Sequence, residues 1–253
     1  MKNNVCNVLK MHVDVIGLQE TLSRTLDLVK GNRGAYICVS NVHMCMETFD
    51  SFEFAEIVNN ADLVIPDGKP LSWAQKLLGH KDAEQVRGQD ITNALCKLSE
   101  DKGLKLGFYG GSSNEILEAV KRSLTKSYPN ILIEYAFSPP FKPLTIEEDE
   151  EVVSAINAAN VDILFVGIGC PKQERWMAGH KDKVNCVMLG VGAAYDFIAG
   201  KKKHAPRWVQ TIGMEWFFRL LSEPKRLWRR YLSTNPRFIW YLSKQLFNHK
   251  FGQ

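Results

Sequence analysis

The chain has 253 residues, 45% hydrophobic and 24% charged, the balance of an ordinary globular protein able to bury a sizeable core. Its amino terminus lacks an apolar signal-peptide core, and no uncharged run approaches the ~20 residues of a membrane span, so a cytoplasmic chain is expected. The net charge of +4 divides unevenly: residues 201–253 carry twelve Lys or Arg against Glu215 and Glu223, and the remainder is acidic on balance.

Apolar runs at 13–16 and 36–39 predict strands with a helix over 18–30 between them, the second strand ending in Ser40-Asn41. A helix over 53–60 leads into Leu63, Val64 and Ile65, a run stopped by Pro66 and Gly68 on either side of Asp67. This reads as a buried strand ending in a tight turn that exposes a carboxylate. Helices over 70–78 and 90–102, a strand over 104–109, the loop Gly110-Gly111-Ser112, a helix over 114–127 and a strand over 131–136 follow. A helix over 147–160 starts with acids, which suits its dipole. A strand over 162–166, a helix near Arg175 and a last strand over 184–190 complete the body. The alternation predicts an α/β fold, a Rossmann-like, mostly parallel sheet with helices on both faces. Near Gly200 charge and aromatic content change together, so residues 1–200 are expected as the α/β domain. Residues 201–253 are expected as a basic, helical carboxyl-terminal appendage, holding 11 of the 26 aromatic residues.

Ligands of open α/β sheets sit beyond the carboxyl ends of the strands, where Asp67 could take a proton from a bound hydroxyl. A carboxylate at such a turn can equally cap a helix. Gly110 and Gly111, between a strand and a helix, allow close approach of a phosphate, although the Walker Lys and the three-glycine dinucleotide spacing are both missing. The segment Gly167-Ile-Gly-Cys-Pro-Lys-Gln-Glu174 gathers Lys172, Gln173 and Glu174 past a strand end, where they could bind hydroxyls or phosphate oxygens or simply start a solvated helix. No Asp-x-Asp pair and no cluster with metal-ligand spacing occurs, so no metal is expected. Six cysteines without a CxxC pair read as reduced, mostly buried thiols. His43, His180 and His204 stand alone and read as packing or surface residues, and the acids from Glu147 to Glu151 as a solvated face.

Taken together, several stretches resemble the WecG/TagA/CpsF family, glycosyltransferase family 26. They are Val39-Ser-Asn41, Ile65-Pro-Asp-Gly68, Val86-Arg-Gly-Gln-Asp90, Phe108-Tyr-Gly-Gly-Ser112, Gly167 to Glu174, Gly190-Val-Gly-Ala-Ala-Tyr-Asp-Phe197 and Ala205-Pro-Arg-Trp208. Glu215-Trp-Phe-Phe-Arg-Leu-Leu, Glu223-Pro and an Arg-rich stretch follow in the same order. The resemblance implies a metal-independent, inverting transferase without a cofactor. Its donor is a UDP-sugar, with UDP-glucose and UDP-N-acetylmannosamine or its uronate leading, and its acceptor a sugar on a polyprenyl pyrophosphate. The product belongs to exopolysaccharide, capsule or teichoic acid assembly. Asp67 falls on the proposed general base, Ser40 and Asn41 beside the donor sugar, and Gly111 and Gln173 on pocket positions. Ser40 stands where the family often has Thr. Gln85 stands where it often has Arg, with Arg87 two residues on.

The basic, aromatic appendage suggests an anionic partner, a membrane surface or a nucleic acid. The resemblance selects the inner face of the cell membrane, with the protein peripheral to it, and leaves a homo-oligomer open. Arg219, Arg226 and Arg230 fall within about 40° of one another on an ideal helical wheel, with Arg229 further round. Pro224 is expected to split the stretch into two helices. In the resembling family such arginines complete the site, which points to Arg219, Arg226 and Arg229. A nucleotide-dependent oxidoreductase lacks its glycine fingerprint here, and a non-catalytic membrane adaptor leaves Asp67 unexplained.

Overall fold

A computed structural model describes residues 4–31, 34–192, 194–202 and 205–251. The chain opens with an antiparallel hairpin, β1 (Val5–Val8) and β2 (Met11–Asp14), followed by α1 (Leu18–Lys30). Next come β3 (Ala35–Ser40), α2 (Val42–Asp50), α3 (Phe52–Asn59), β4 (Leu63–Pro66), α4 (Lys69–Leu77) and α5 (Gly88–Lys102). The middle of the chain forms β5 (Lys105–Gly110), α6 (Asn114–Ser127), β6 (Leu132–Phe137) and α7 (Ile146–Ala158). It continues through β7 (Ile163–Gly167), α8 (Lys172–His180), β8 (Val187–Gly190) and α9 (Ala194–Ile198). The appendage contributes α10 (Arg207–Thr211), α11 (Glu215–Ser222) and α12 (Pro224–Phe251). His204 lies outside the described residues.

Six strands pair in parallel in the order β4-β3-β8-β7-β5-β6, the expected α/β architecture. A parallel sheet covered on both faces needs strands apolar on both sides, and β7 and β8 are continuous apolar runs. Successive side chains alternate between the faces. Cys38, Val64, Leu164, Val166 and Met188 pack with Met44 of α2, Phe54 of α3, Leu71 of α4 and Met177 of α8. Ile37, Val39, Ile65, Phe108, Phe165 and Leu189 pack with Ile91 and Leu95 of α5, Leu117 of α6 and Tyr195 of α9. The six cysteines are free, five of them buried and Cys170 half-buried.

Apart from β1 and α9, which no expectation covers, and β8, which starts three residues later than expected, two differences stand out. The strand expected at 13–16 runs from Met11 to Asp14, because it pairs with β1 and not with the main sheet. Residues 42–50, to which the sequence reading gives no element, form α2, whose start is capped by the Asn41 side chain accepting from the N–H groups of His43 and Met44.

The split at Pro224 is as expected: α11 stops at Ser222 and Pro224 is the first residue of α12. Helix α12 continues through an internal Pro236. Past that proline it docks on α2 and the hairpin. Phe238 and Leu242 are buried in the core, Tyr241 meets Phe49 at 4.3 Å between ring centroids, and Arg237 pairs with Asp50. Gln245 accepts from the Leu9 N–H at 2.9 Å and donates to the Asn7 carbonyl at 2.7 Å, satisfying hairpin groups that no strand pairs.

Candidate active site

β5 passes the chain outward through α6 to β6, whereas its neighbour β7 passes it the other way through α8 to β8. The loops part there, the kind of switch point that favours ligand crevices. The large crevice opens beside it, over the carboxyl ends of β4, β3 and β8, with a volume of about 1340 Å³. Its lining comes from the body and from α11 and α12 alike, including Asn41, Asp67, Arg87, Gln173, Arg219, Arg226 and Arg230.

Asp67 is set by β4 and by its neighbours. Its own N–H donates to the Ser40 carbonyl at 2.8 Å, and Gln85 Nε2 donates to its carbonyl at 2.7 Å. Its Oδ1 accepts from the backbone N–H of Gly88 at 2.7 Å, at the start of α5. The carboxylate therefore does cap a helix, one element later in the chain than the turn suggests. Burial pushes its pKa up to about 6; the Gly88 N–H opposes this, Glu215 adds to it, and Arg219 and Arg87 oppose it. Glu215 and Arg219 belong to the appendage, so the electrostatics of Asp67 are shared between the two parts of the chain.

The cations are held by specific partners. Arg87 Nε donates to Asp90 at 2.8 Å and its Nη1 donates to Gln210 of α10. Arg219 lies over the Phe197 ring at 5.7 Å, and its Nε is buried with no hydrogen-bond partner among the described residues. Arg226 pairs with Glu223 at 2.6 Å, and Lys202 links Glu223 to Asp196 at 3.3 and 2.5 Å. The ring of Trp73 fills the space beside Gly213, whose φ of +73° a larger residue would strain. That contact seats the turn before α11 against α4.

The other expected residues fall in different places. Asn41 lines the crevice while capping α2. Ser40 is fully buried and its Oγ donates to the Ile65 carbonyl at 2.7 Å, which ties β3 to β4 and leaves it beneath the crevice. Gly110 and Gly111 are absent from the lining. A Cβ on Gly110 would meet the Gly167 backbone at 2.6 Å, and the Gly111 N–H donates to the Gly167 carbonyl at 3.2 Å. Tyr195 covers this place, with its ring within 3.1 Å of where a Gly167 Cβ would stand. These glycines allow two strand ends to close together. Lys172 is exposed, outside the lining. Gln173 is buried at the crevice wall; its Oε1 accepts from the Gly169 N–H at 3.2 Å and its Nε2 donates to Glu174 at 2.7 Å. Glu174 is fully buried behind it, and burial pushes its pKa up to about 6. Arg229 is exposed, lies over the Trp228 ring at 5.3 Å and is outside the lining; the place belongs to Arg230, one residue on.

Several lining residues escaped the sequence reading as site residues. His43 is half-buried at the crevice, and burial together with the nearby Arg230 lowers its pKa to about 4, so the imidazole is neutral near pH 7. The sequence signal for it is the helix cap at Asn41, two residues before it. Glu215 stands in a quoted motif, and Arg230 on the wheel with Arg219 and Arg226. His180 packs as expected, but it also binds Asp149 at 2.8 Å, so that acid is not merely solvated.

A protein of Staphylococcus aureus strain MW2, an N-acetylglucosaminyldiphosphoundecaprenol N-acetyl-beta-D-mannosaminyltransferase, is 29% identical over 242 residues, 92% of each chain. A protein of the same description from Bacillus spizizenii is 29% identical over 209 residues, 82% of this chain and 78% of the relative. The model of the glycosyl transferase WecG/TagA/CpsF family matches residues 6–252, from the opening hairpin through the appendage. The chain belongs to the WecG/TagA/CpsF family of glycosyl transferases.

Proposed function

We propose that the chain is an inverting, metal-independent glycosyltransferase. It moves a hexose or N-acetylhexosamine from a UDP-sugar to a sugar carried on a polyprenyl diphosphate. The observation that carries this reading is Asp67, a half-buried carboxylate at a strand end with a pKa near 6, set among arginines from both parts of the chain. The names of the two relatives support the acceptor class and make N-acetylmannosamine a leading sugar, beside glucose and the uronate.

The acceptor hydroxyl oxygen attacks the anomeric carbon from the face opposite UDP. The new bond forms as the bond from that carbon to the diphosphate oxygen breaks. Asp67 takes the hydroxyl proton, and UDP leaves with the electron pair. Negative charge grows on the departing diphosphate, and guanidinium groups answer it with charge-assisted hydrogen bonds. Arg219 and Arg230 suit this task, since both line the crevice and neither is held in an ion pair by a neighbouring acid among the described residues. Arg87 and Arg226, paired with Asp90 and Glu223, give further positive charge.

Residues 1–200 act in this reading as the transferase domain, and residues 201–253 as the part that completes the site and meets an anionic membrane. Exposed Trp228, Leu232 and Trp240 lie on α12 among Lys225, Arg229 and Lys244, a mixture suited to a lipid interface. No helix among the described residues is long and apolar enough to cross a membrane, in keeping with a peripheral protein on its inner face. The test uses the purified full chain, a panel of UDP-sugars and a prenyl-diphosphate-linked N-acetylglucosamine acceptor, with and without excess chelator. One donor should transfer in both conditions. Activity lost to chelator and restored by magnesium or manganese would overturn the metal-free mechanism. Failure to bind or turn over any UDP-sugar would favour an adaptor.

A further inference from the structure

Gln173 and Glu174 stand in the first turn of α8, where adjacent residues project about 100° apart and their side chains do not normally meet. Here they do. The Gln173 Nε2 donates to the Glu174 Oε1 at 2.7 Å, while the Gln173 Oε1 accepts from the Gly169 N–H at 3.2 Å. The amide is clamped at both ends, since a flip would set oxygen against carboxylate and N–H against N–H. It lies over the end of β8 in room that Gly190 leaves, where a Cβ would stand 2.9 Å from Nε2. One hydrogen of Nε2 goes to Glu174, and the other has no acceptor among the described residues. Glu174 itself is 0% exposed and outside the crevice lining. Its Oε2 has no hydrogen-bond partner among the described residues, with the Cys170 thiol beside it and no cation. A buried carboxylate so poorly matched is costly, and an apolar side chain of its size would fill the space without that cost.

We propose that Glu174 is a positioning residue, whose carboxylate fixes the Gln173 amide with its second N–H aimed into the crevice as a donor to a substrate oxygen. The assignment rests on the transferase reading above and adds to it a role for a group that no substrate touches. A carboxylate suits the task because it offers only acceptors, and so admits one orientation of the amide. An amide set in advance meets its partner without losing side-chain freedom at the moment of binding.

Kinetics of the full chain with the active donor of the UDP-sugar panel test the role. Glu174→Met keeps the volume and removes the acceptor, and should lower kcat/KM at least about tenfold. Glu174→Gln can still present an oxygen to Nε2 and should stay within about threefold of wild type. Gln173→Ala should cost at least as much as Glu174→Met, and in its background Glu174→Met should cost nothing more. Losses that multiply, a fully active Glu174→Met variant, or a Glu174→Gln variant as impaired as Glu174→Met overturns the proposal. So does a loss that follows the unfolded fraction of Glu174→Met at the assay temperature, which packing alone would give. The side-chain amide protons of Gln173, assigned by their absence from the Gln173→Ala spectrum, separate the clamp from the reaction. In wild type one should lie downfield by nitrogen-15 NMR, and it should move upfield in Glu174→Met. That shift without any sugar transfer would leave the clamp standing and remove the transferase reading. Transfer with an unshifted amide would do the reverse.

Discussion

Arg237 holds Asp50 through two parallel hydrogen bonds, of 3.0 and 2.6 Å, joining the last helix to the end of α2. The geometry is bidentate, yet the side chains are 43% and 48% exposed, and such surface pairs contribute little. The adjacent Phe238 is buried in the core. Asp50→Ala should therefore lower the unfolding free energy by less than ~1 kcal/mol, and Phe238→Ala by ~3–5 kcal/mol. Urea denaturation of both variants measures the contrast; a comparable loss at Asp50 would show that the ion pair docks the helix.

Asp67→Asn should reduce transfer ~10²- to 10⁴-fold while UDP binding is kept. In the wild type, kcat/KM should rise with pH through about 6 and level off above it, because only the ionised carboxylate accepts a proton. A flat profile across that range, or near-normal turnover of the variant, would remove Asp67 from the role of base.

Arg219→Ala should cost ~10²-fold in turnover, the scale of a lost donor to a developing anion. Arg229→Ala, at a position outside the crevice, should stay within about twofold. Vesicle binding should hold in both, since each removes one charge from many. Turnover that falls only in step with vesicle binding would make the appendage an anchor and nothing more.

Glu174 gives a stability test. Burial raises its pKa from 4.5 to about 6 in the fold. A carboxyl raised in this way contributes stability below its unfolded value and loses it as pH rises through the folded one. On the order of 2 kcal/mol should disappear between those limits. Glu174→Gln cannot ionise and should lose none of it. Denaturation curves below pH 4.5 and above pH 6 compare the two; identical pH dependence would show that Glu174 is not the group responsible.

Much of this arrangement was legible because local chemistry and global fold agree. Leu63, Val64 and Ile65 stop at Pro66, and Asp67 stands where that stop places it. Pro224 splits the appendage because it can begin a helix but not continue α11. The hairpin was half hidden: its turn at Leu9 takes a φ of +56° without the Asn-Gly or Asp-Gly that usually announces such a backbone. Helix α2 is rich in Met, Cys, Thr and Val, with little polar contrast for a period to show. Gly110 and Gly111 carried the composition of a phosphate loop, but Gly167 and Tyr195, distant in sequence, take up the space. Arg229 and Arg230 differ by one residue, a 100° turn on the helix, and only packing against α2 and the crevice decides between them.

Pro236 gives α12 two unlike halves. It has no N–H to offer the Leu232 carbonyl one turn back, so the ladder of hydrogen bonds is interrupted there. The contacts of Arg237, Phe238, Tyr241 and Gln245 with α2 and the hairpin all lie beyond the interruption. Arg226 and Arg230, which line the crevice, lie before it. The interruption falls between a segment that carries the crevice arginines, anchored by buried Leu227 and Thr234, and a segment docked on α2 and the hairpin. Pro236→Ala, by restoring the missing rung, should stiffen the join between these two halves and raise the thermal midpoint of unfolding; an unchanged or lower midpoint would show that the proline costs the helix nothing.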